Sequence, residues 1–163
     1  MLEVLCSESR DRIRFIETKV EKVHTILGAN GVIGRELSRA LAGHGTGIRQ
    51  VSRSPVRVNP TDELLPADLL DANATADAVA GSAVAYLVAG LKYDTAVWRE
   101  QWPRIMRNVI DACRRHETRL VFFDNVYAYG RVDGVMTEET PFNPYSRKGE
   151  VRADIATMLL DEM

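Results

Sequence analysis

The sequence predicts an α/β protein: a doubly wound parallel sheet of about five strands, with helices on both faces in a three-layer α/β/α arrangement. Three observations predict it. β-type runs alternate with amphipathic stretches, a glycine-spaced turn joins the first run to the first helix, and the run Ala83 to Val88 is almost continuously apolar. Alternating strands and helices with right-handed crossovers leave few topologies, and the strand order 3-2-1-4-5 is expected. A continuous apolar run is what a strand covered on both faces requires.

The chain has 163 residues, 45% of them hydrophobic and 27% charged, which suits one globular domain. A net charge of −2 provides no field to attract nucleic acid or an anionic membrane, so neither is expected as a partner. Cys6 and Cys113 lack metal-type spacing; no metal site is expected, and a reducing cytoplasm is the default. No apolar run approaches the roughly 20 residues of a membrane span, and Met1 to Lys22 is too charged for a secretory leader. Residues 1–22 read as an N-terminal extension and 23–163 as the folded domain.

Val23 to Leu27 reads as the first strand. Glycines follow at 28, 31 and 34, and Ile33, Leu37, Ala40 and Leu41 fall at the spacing of one helix face. Gly28 lets the backbone turn sharply, Gly31 lets a pyrophosphate approach the main chain, and Gly34 lets the helix pack closely on the strand. The helix start, with Asn30, Val32 and Ile33 around it, presents free N–H groups and a positive dipole end to an anion. The pattern points to a dinucleotide; an ordinary strand-to-helix turn is the alternative.

Ile48 to Ser52 reads as the second strand, whose end faces the adenosine ribose in this architecture. A carboxylate there would bond the 2′-hydroxyl of NAD, but no Asp or Glu lies between Glu36 and Asp62. Ser52 and Arg53 occupy the position, with Arg57 beyond. A guanidinium pairs with a 2′-phosphate, so NADP is favoured over NAD; a solvated loop arginine is the alternative.

The third strand ends before Asp68-Leu69, and Asp71 or Asn73 caps an Ala-rich helix ending near Gly81. The apolar fourth strand closes in Ala89-Gly90, small enough to leave room for a ligand. Lys92 to Glu117 reads as a helix interrupted at Pro103, with Ile105, Val109 and Cys113 in one stripe. Cys113 reads as a small buried hydrophobe, and Trp98 and Trp102 as packing residues. Arg119 to Phe123 reads as the fifth strand, and Tyr145 to Lys148 opens a last helix with Val151, Ile155, Met158 and Leu159 on one face.

The G-x-x-G-x-x-G spacing at Gly28, Gly31 and Gly34, the Asp68-Leu69 pair, Ala89-Gly90, Tyr129-Gly130 and the Glu139-Thr140-Pro141 loop together resemble the extended and atypical short-chain dehydrogenase/reductase superfamily, of the NAD-dependent epimerase/dehydratase type. The resemblance implies a Rossmann-type NAD(P)-binding domain over residues 23–163. Asp68 would bond the adenine amino group, Leu69 would cover its ring, and Val88, Ala89 and Gly90 would border the cofactor.

It further implies hydride transfer between the nicotinamide and a sugar-like or other carbonyl or alcohol substrate. In the superfamily a tyrosine is the acid/base, a lysine four residues later depresses its pKa and holds the ribose, and a Ser or Thr on the fifth-strand loop orients the substrate. Here Asn125 stands at the Ser/Thr position and Lys148 matches the lysine, while Pro144 lies four residues before Lys148 and Tyr145 three. The implied roles are Lys148 on the ribose, Asn125 polarising oxygen and Tyr145 as acid/base, the last rotated by about 100° around the helix axis. The C-terminal substrate-binding portion of extended members has no counterpart in the chain. A non-catalytic NADP-binding sensor or scaffold, or a truncated fragment, is the second expectation. The last helix and the Cys113 helix are where a homodimer would pair.

Overall fold

In the computed structural model, which describes residues 23–162, five strands form one sheet. They are β1 (Val23–Leu27), β2 (Ile48–Ser52), β3 (Glu63–Pro66), β4 (Ser82–Leu87) and β5 (Arg119–Phe122). The helices are α1 (Val32–Ala42), α2 (Ala72–Val79), α3 (Thr95–Arg115) and α4 (Arg147–Leu160). The expected extension, residues 1–22, lies outside the described residues. Every pairing is parallel and the order is β3-β2-β1-β4-β5, as the alternation predicts. The chain runs outward from β1 to β3, returns to pair β4 with β1, and continues outward to β5. The connections from β1 and β4 therefore diverge, which opens a crevice at the carboxyl edge of the sheet.

Successive strand residues face opposite sides, and this assigns the layers. Leu27, Val51, Ala85 and Leu87 pack with residues of α2, α3 and α4 in the larger core. Ile26 and Ile48 face the other way and pack with Leu37 and Leu41 of α1. Trp102, Met106, Val109 and Ile155 are fully buried, each worth about 1.5–3 kcal/mol relative to exposure. Cys113 belongs to the same core, and burial pushes its thiol up to about 12, which leaves it inert. Among the described residues no helix is long and apolar enough to cross a membrane.

Local signals place the helix starts. Asp71 accepts from the N–H groups of Asn73 and Ala74, Asp94 from those of Ala96 and Val97, and Ser146 from that of Gly149. Several boundaries differ from expectation, among them those of α3, which spans Thr95–Arg115 and not Lys92 to Glu117. Strand β4 begins one residue earlier, where the Ser82 hydroxyl bonds that of Thr25 at 2.6 Å. Strand β5 stops at Phe122. Helix α4 begins at Arg147, because Ser146 is its cap and Tyr145 lies before it. Helix α3 runs through Pro103 without a break. A proline inside a helix costs about 3 kcal/mol, and burial of Trp102, Ile105 and Met106 around it offsets that cost.

Helix α1 is also turned relative to its expected stripe. Gly34 and Ser38 are its buried residues, while Ile33 and Ala40 are exposed. The reason is a polar cluster beneath the helix. The amide of Gln50 donates to Asp62 at 2.7 Å and also bonds Ser38, and the amide of Asn59 donates to Ser38 at 2.8 Å and to Asp62 at 3.1 Å. Asp62 is 2% exposed. Burial raises its carboxyl, but bonds from the Asn59 backbone and amide, from Gln50 and from the Val58 N–H outweigh that and hold it below the ordinary carboxylate range.

Candidate functional site

The crevice is a cleft of about 600 Å³ at the carboxyl ends of the strands. Gly28 and Gly31 line it from the first turn, and Ser52, Arg53 and Ser54 from the end of β2. Asp68 and Leu69 border it after β3, and Ala89, Gly90 and Lys92 after β4. Val97, Gln101 and Ile105 of α3 close one side.

Two glycines make this geometry sterically possible. Gly28 has φ +96°, and a Cβ there would lie 2.4 Å from the Ala89 Cα. The β1 and β4 turns therefore touch backbone to backbone, as a side chain on Gly28 would forbid. A Cβ on Gly34 would lie 2.8 Å from the Ala29 Cα, so α1 sits directly against the turn. Gly31 is different: a Cβ there would meet only the Gly28 carbonyl oxygen, at 3.5 Å. It lines the cleft and precedes a helix with no capping side chain and no acidic residue in its first turn. The N–H groups of Val32, Ile33 and Gly34 thus lack intrahelical acceptors and a side-chain cap. The side chains of Val32 and Ile33 are 78% and 41% exposed, so these residues offer an anion their main chain.

Beyond the end of β2 the two arginines separate. Arg57 donates to the carbonyls of Pro60 and Asp62 and is occupied in turning its own loop. Arg53 lines the cleft and joins no ion pair among the described residues. Ser52 accepts from the Ser54 N–H at 3.2 Å. Asn30 donates from its amide to the Ser54 carbonyl at 2.7 Å and accepts from the Val56 N–H at 3.2 Å. One carboxylate oxygen of Asp68 accepts from the Leu70 N–H at 3.0 Å, and Leu69 is buried beside it. Val88 packs under α1 in the smaller core and does not line the cleft.

None of the three residues expected to do chemistry is among those lining the cleft. Tyr145 is 80% exposed and precedes α4. The Lys148 ammonium lies 3.7 Å from the centroid of the Tyr93 ring and 5.9 Å from that of Trp98, outside the residues lining the cleft. Asn125 accepts from the Tyr127 N–H at 3.0 Å, capping a short turn at Val126–Tyr129. A hydrogen bond with Tyr93 raises the Tyr127 phenol above its ordinary range.

Sequence reasoning missed several residues here. Lys92 lies two residues after the Ala89-Gly90 step, so the rule that ligands sit at strand ends would have found it. Gln101 reaches the cleft only through the packing of α3 and has no local signal. Arg152 is 3% exposed and pairs with Asp124 at the end of β5. Its guanidinium stacks 4.6 Å from the Trp102 ring and 4.9 Å from that of Phe122. It ties α4, and Lys148 one turn earlier, to the sheet edge.

The fold and the glycine-turn cleft define a Rossmann-type nucleotide-binding domain. The NAD dependent epimerase/dehydratase family matches residues 24–149, and the chain belongs to that family. No curated protein shows significant similarity to the sequence. Among solved structures, UDP-glucose 4-epimerase from Brucella ovis in complex with NAD is similar with a TM-score of 0.74 at 19% identity, over 86% of this chain and 47% of that one. Uronate dehydrogenase from Agrobacterium tumefaciens gives 0.73 at 24% identity, over 87% of this chain and 57% of that one. MoeE5 in complex with UDP-glucuronic acid and NAD gives 0.72 at 24% identity, over 86% and 49%. The chain thus spans about half the length of the structures it matches.

Proposed function

We propose that the cleft binds a nicotinamide dinucleotide, NADP in preference to NAD, and that the domain serves an epimerase, dehydratase or reductase acting on a sugar-like carbonyl or alcohol. The observation that carries the reading is the pairing of Gly28 against Ala89 with an open Gly31 at an uncapped helix start. This cradle fits a pyrophosphate, which needs close main-chain approach and unsatisfied N–H donors. Arg53, with Ser52 and Ser54 beside it, would take the 2′-phosphate; Asp68 and Leu69 would take the adenine. When bound, the nicotinamide supplies or accepts a hydride. Asn125 and Lys148, which lie outside the residues lining the cleft, would supply the donor to the substrate oxygen and the ribose contact. The relatives solved with NAD, one of them also with UDP-glucuronic acid, support the substrate class.

Titration with NADPH and NADH, followed by energy transfer from Trp98 and Trp102 to the reduced nicotinamide, tests the reading. Saturable binding with NADPH tighter is expected. A folded protein that binds neither refutes it.

A second reading, dinucleotide binding without turnover, is favoured by one observation: Tyr145 stands 80% exposed in front of α4. Under it the protein binds NADPH but oxidises or reduces no member of a nucleotide-sugar and uronate panel. A cytoplasmic setting, supported by the free and buried Cys113, and a homodimer paired through the outer faces of α3 and α4 complete the proposal. Sedimentation at micromolar concentration gives the oligomeric state.

A further inference from the structure

We propose that Asn30 is a positioning residue for cofactor selectivity: its amide clamps the loop that carries Arg53 to the glycine turn and so presents one guanidinium to the 2′-phosphate. The inference rests on the dinucleotide reading above and concerns what sets its preference.

Among the described residues, Asn30 alone ties the glycine turn to the loop after β2 by side-chain bonds at both amide atoms. Nδ2 donates to the Ser54 carbonyl at 2.7 Å, and Oδ1 accepts from the Val56 N–H at 3.2 Å. A planar amide carries donor and acceptor side by side, which a carboxylate or hydroxyl of the same reach does not. Arg53 is thereby held from both sides. Before it, the Ser52 carbonyl accepts from the Ala67 N–H at 2.9 Å, and after it Ser54 is held by Asn30. The far end of the loop is closed separately. Asp62 accepts from the Val58 and Asn59 N–H groups at 3.1 and 2.8 Å, and Arg57 is used there as well.

The loop therefore has two anchors, and only the one near Arg53 reaches the glycine turn. A guanidinium whose backbone is already fixed loses less freedom on meeting a phosphate, and pre-organisation of that kind appears as affinity. A cofactor without the 2′-phosphate gains nothing from it. The clamp thus acts on the ratio of NADPH to NADH affinity, not on dinucleotide binding in general.

The experiment compares dissociation constants for NADPH and NADH in the full chain, in Asn30→Ala, in Arg53→Ala and in the double variant. A second readout, hydrogen exchange at the Val56 amide, needs no ligand. Asn30→Ala should lower the NADPH:NADH affinity ratio about tenfold, a fraction of what a charge-assisted phosphate bond is worth. In the Arg53→Ala background it should change the ratio less than about twofold, since the group it positions is gone. Exchange at Val56 should quicken in the free protein. Equal weakening of both cofactors, an undiminished effect without Arg53, or unchanged exchange at Val56 would each overturn the inference and leave the cofactor reading intact. A folded wild-type chain that binds neither cofactor would overturn both.

Discussion

Replacing Gly31 by leucine separates binding from folding, because the structure puts these two demands on different glycines. Gly31 has φ −68° and ψ 164°, a conformation any L residue adopts, and an added Cβ meets only the Gly28 oxygen at an ordinary 3.5 Å. The folding cost is then that of a poorer helix start, about 1 kcal/mol, or a fall in Tm of about 2–4 °C for a chain of this size. The side chain would stand in the cleft, where it keeps a phosphate from the first-turn N–H groups of α1. Two lost hydrogen bonds to a charged group, at about 1.5–3 kcal/mol each, weaken binding at least about 100-fold. Gly28→Ala gives the opposite result, since its Cβ would lie 2.4 Å from the Ala89 Cα at φ +96°; here the loss is in stability. Thermal melts and nicotinamide fluorescence titrations on both variants provide the comparison. Folded Gly31→Leu protein with wild-type affinity for NADPH would refute the placement of the pyrophosphate at this turn.

Three further perturbations follow from the same geometry. Arg53→Ala should cost NADPH between about tenfold and 100-fold in affinity and leave NADH unchanged; an equal loss for both would show that Arg53 does not meet the 2′-phosphate. Asp62 is held below the ordinary range, so its stabilising contribution is present above the unfolded value of about 3.9 and is lost as pH falls through the lower folded value. Urea midpoints should therefore drop between about pH 5 and pH 2, with a shallower drop in Asp62→Asn; identical acid slopes would refute this. Asp124→Ala strands the guanidinium of Arg152, which is 3% exposed, and should cost about 3–5 kcal/mol. An unfolding free energy within about 1 kcal/mol of wild type would show that the stacked rings alone satisfy Arg152.

The family relationship and the arrangement of α4 give different weight to the two halves of the proposal. The dinucleotide half rests on contacts that the fold itself enforces, backbone against backbone at Gly28 and Ala89. The catalytic half depends on groups outside the residues that line the cleft. The Lys148 ammonium sits over the Tyr93 ring, the neighbouring Tyr93 raises the Tyr127 phenol, and Tyr145 is exposed. The NADPH titration therefore has to precede a search for turnover.

The sequence by itself determined the sheet and the turn. Glycines at 28, 31 and 34, the apolar run into Ala89-Gly90 and a cap at Asp71 or Asn73, which proves to be Asp71, act through φ, ψ and nearest neighbours, so they read correctly without tertiary information. Strand order followed because right-handed crossovers restrict topology. Tertiary structure alone decided which polar groups are free. Arg53 and Arg57 are alike in sequence, yet one lines the cleft and the other is used up by the Pro60 and Asp62 carbonyls. Asn30 lines the cleft as its place in the turn predicts, but that its amide bonds Ser54 and Val56, more than 20 residues away, has no local signal. The turning of α1 onto Ser38, the passage of α3 through Pro103 and the burial of Arg152 have the same origin. Each is a local preference outweighed by a contact between residues distant in the chain, and such contacts exist only once the chain has folded.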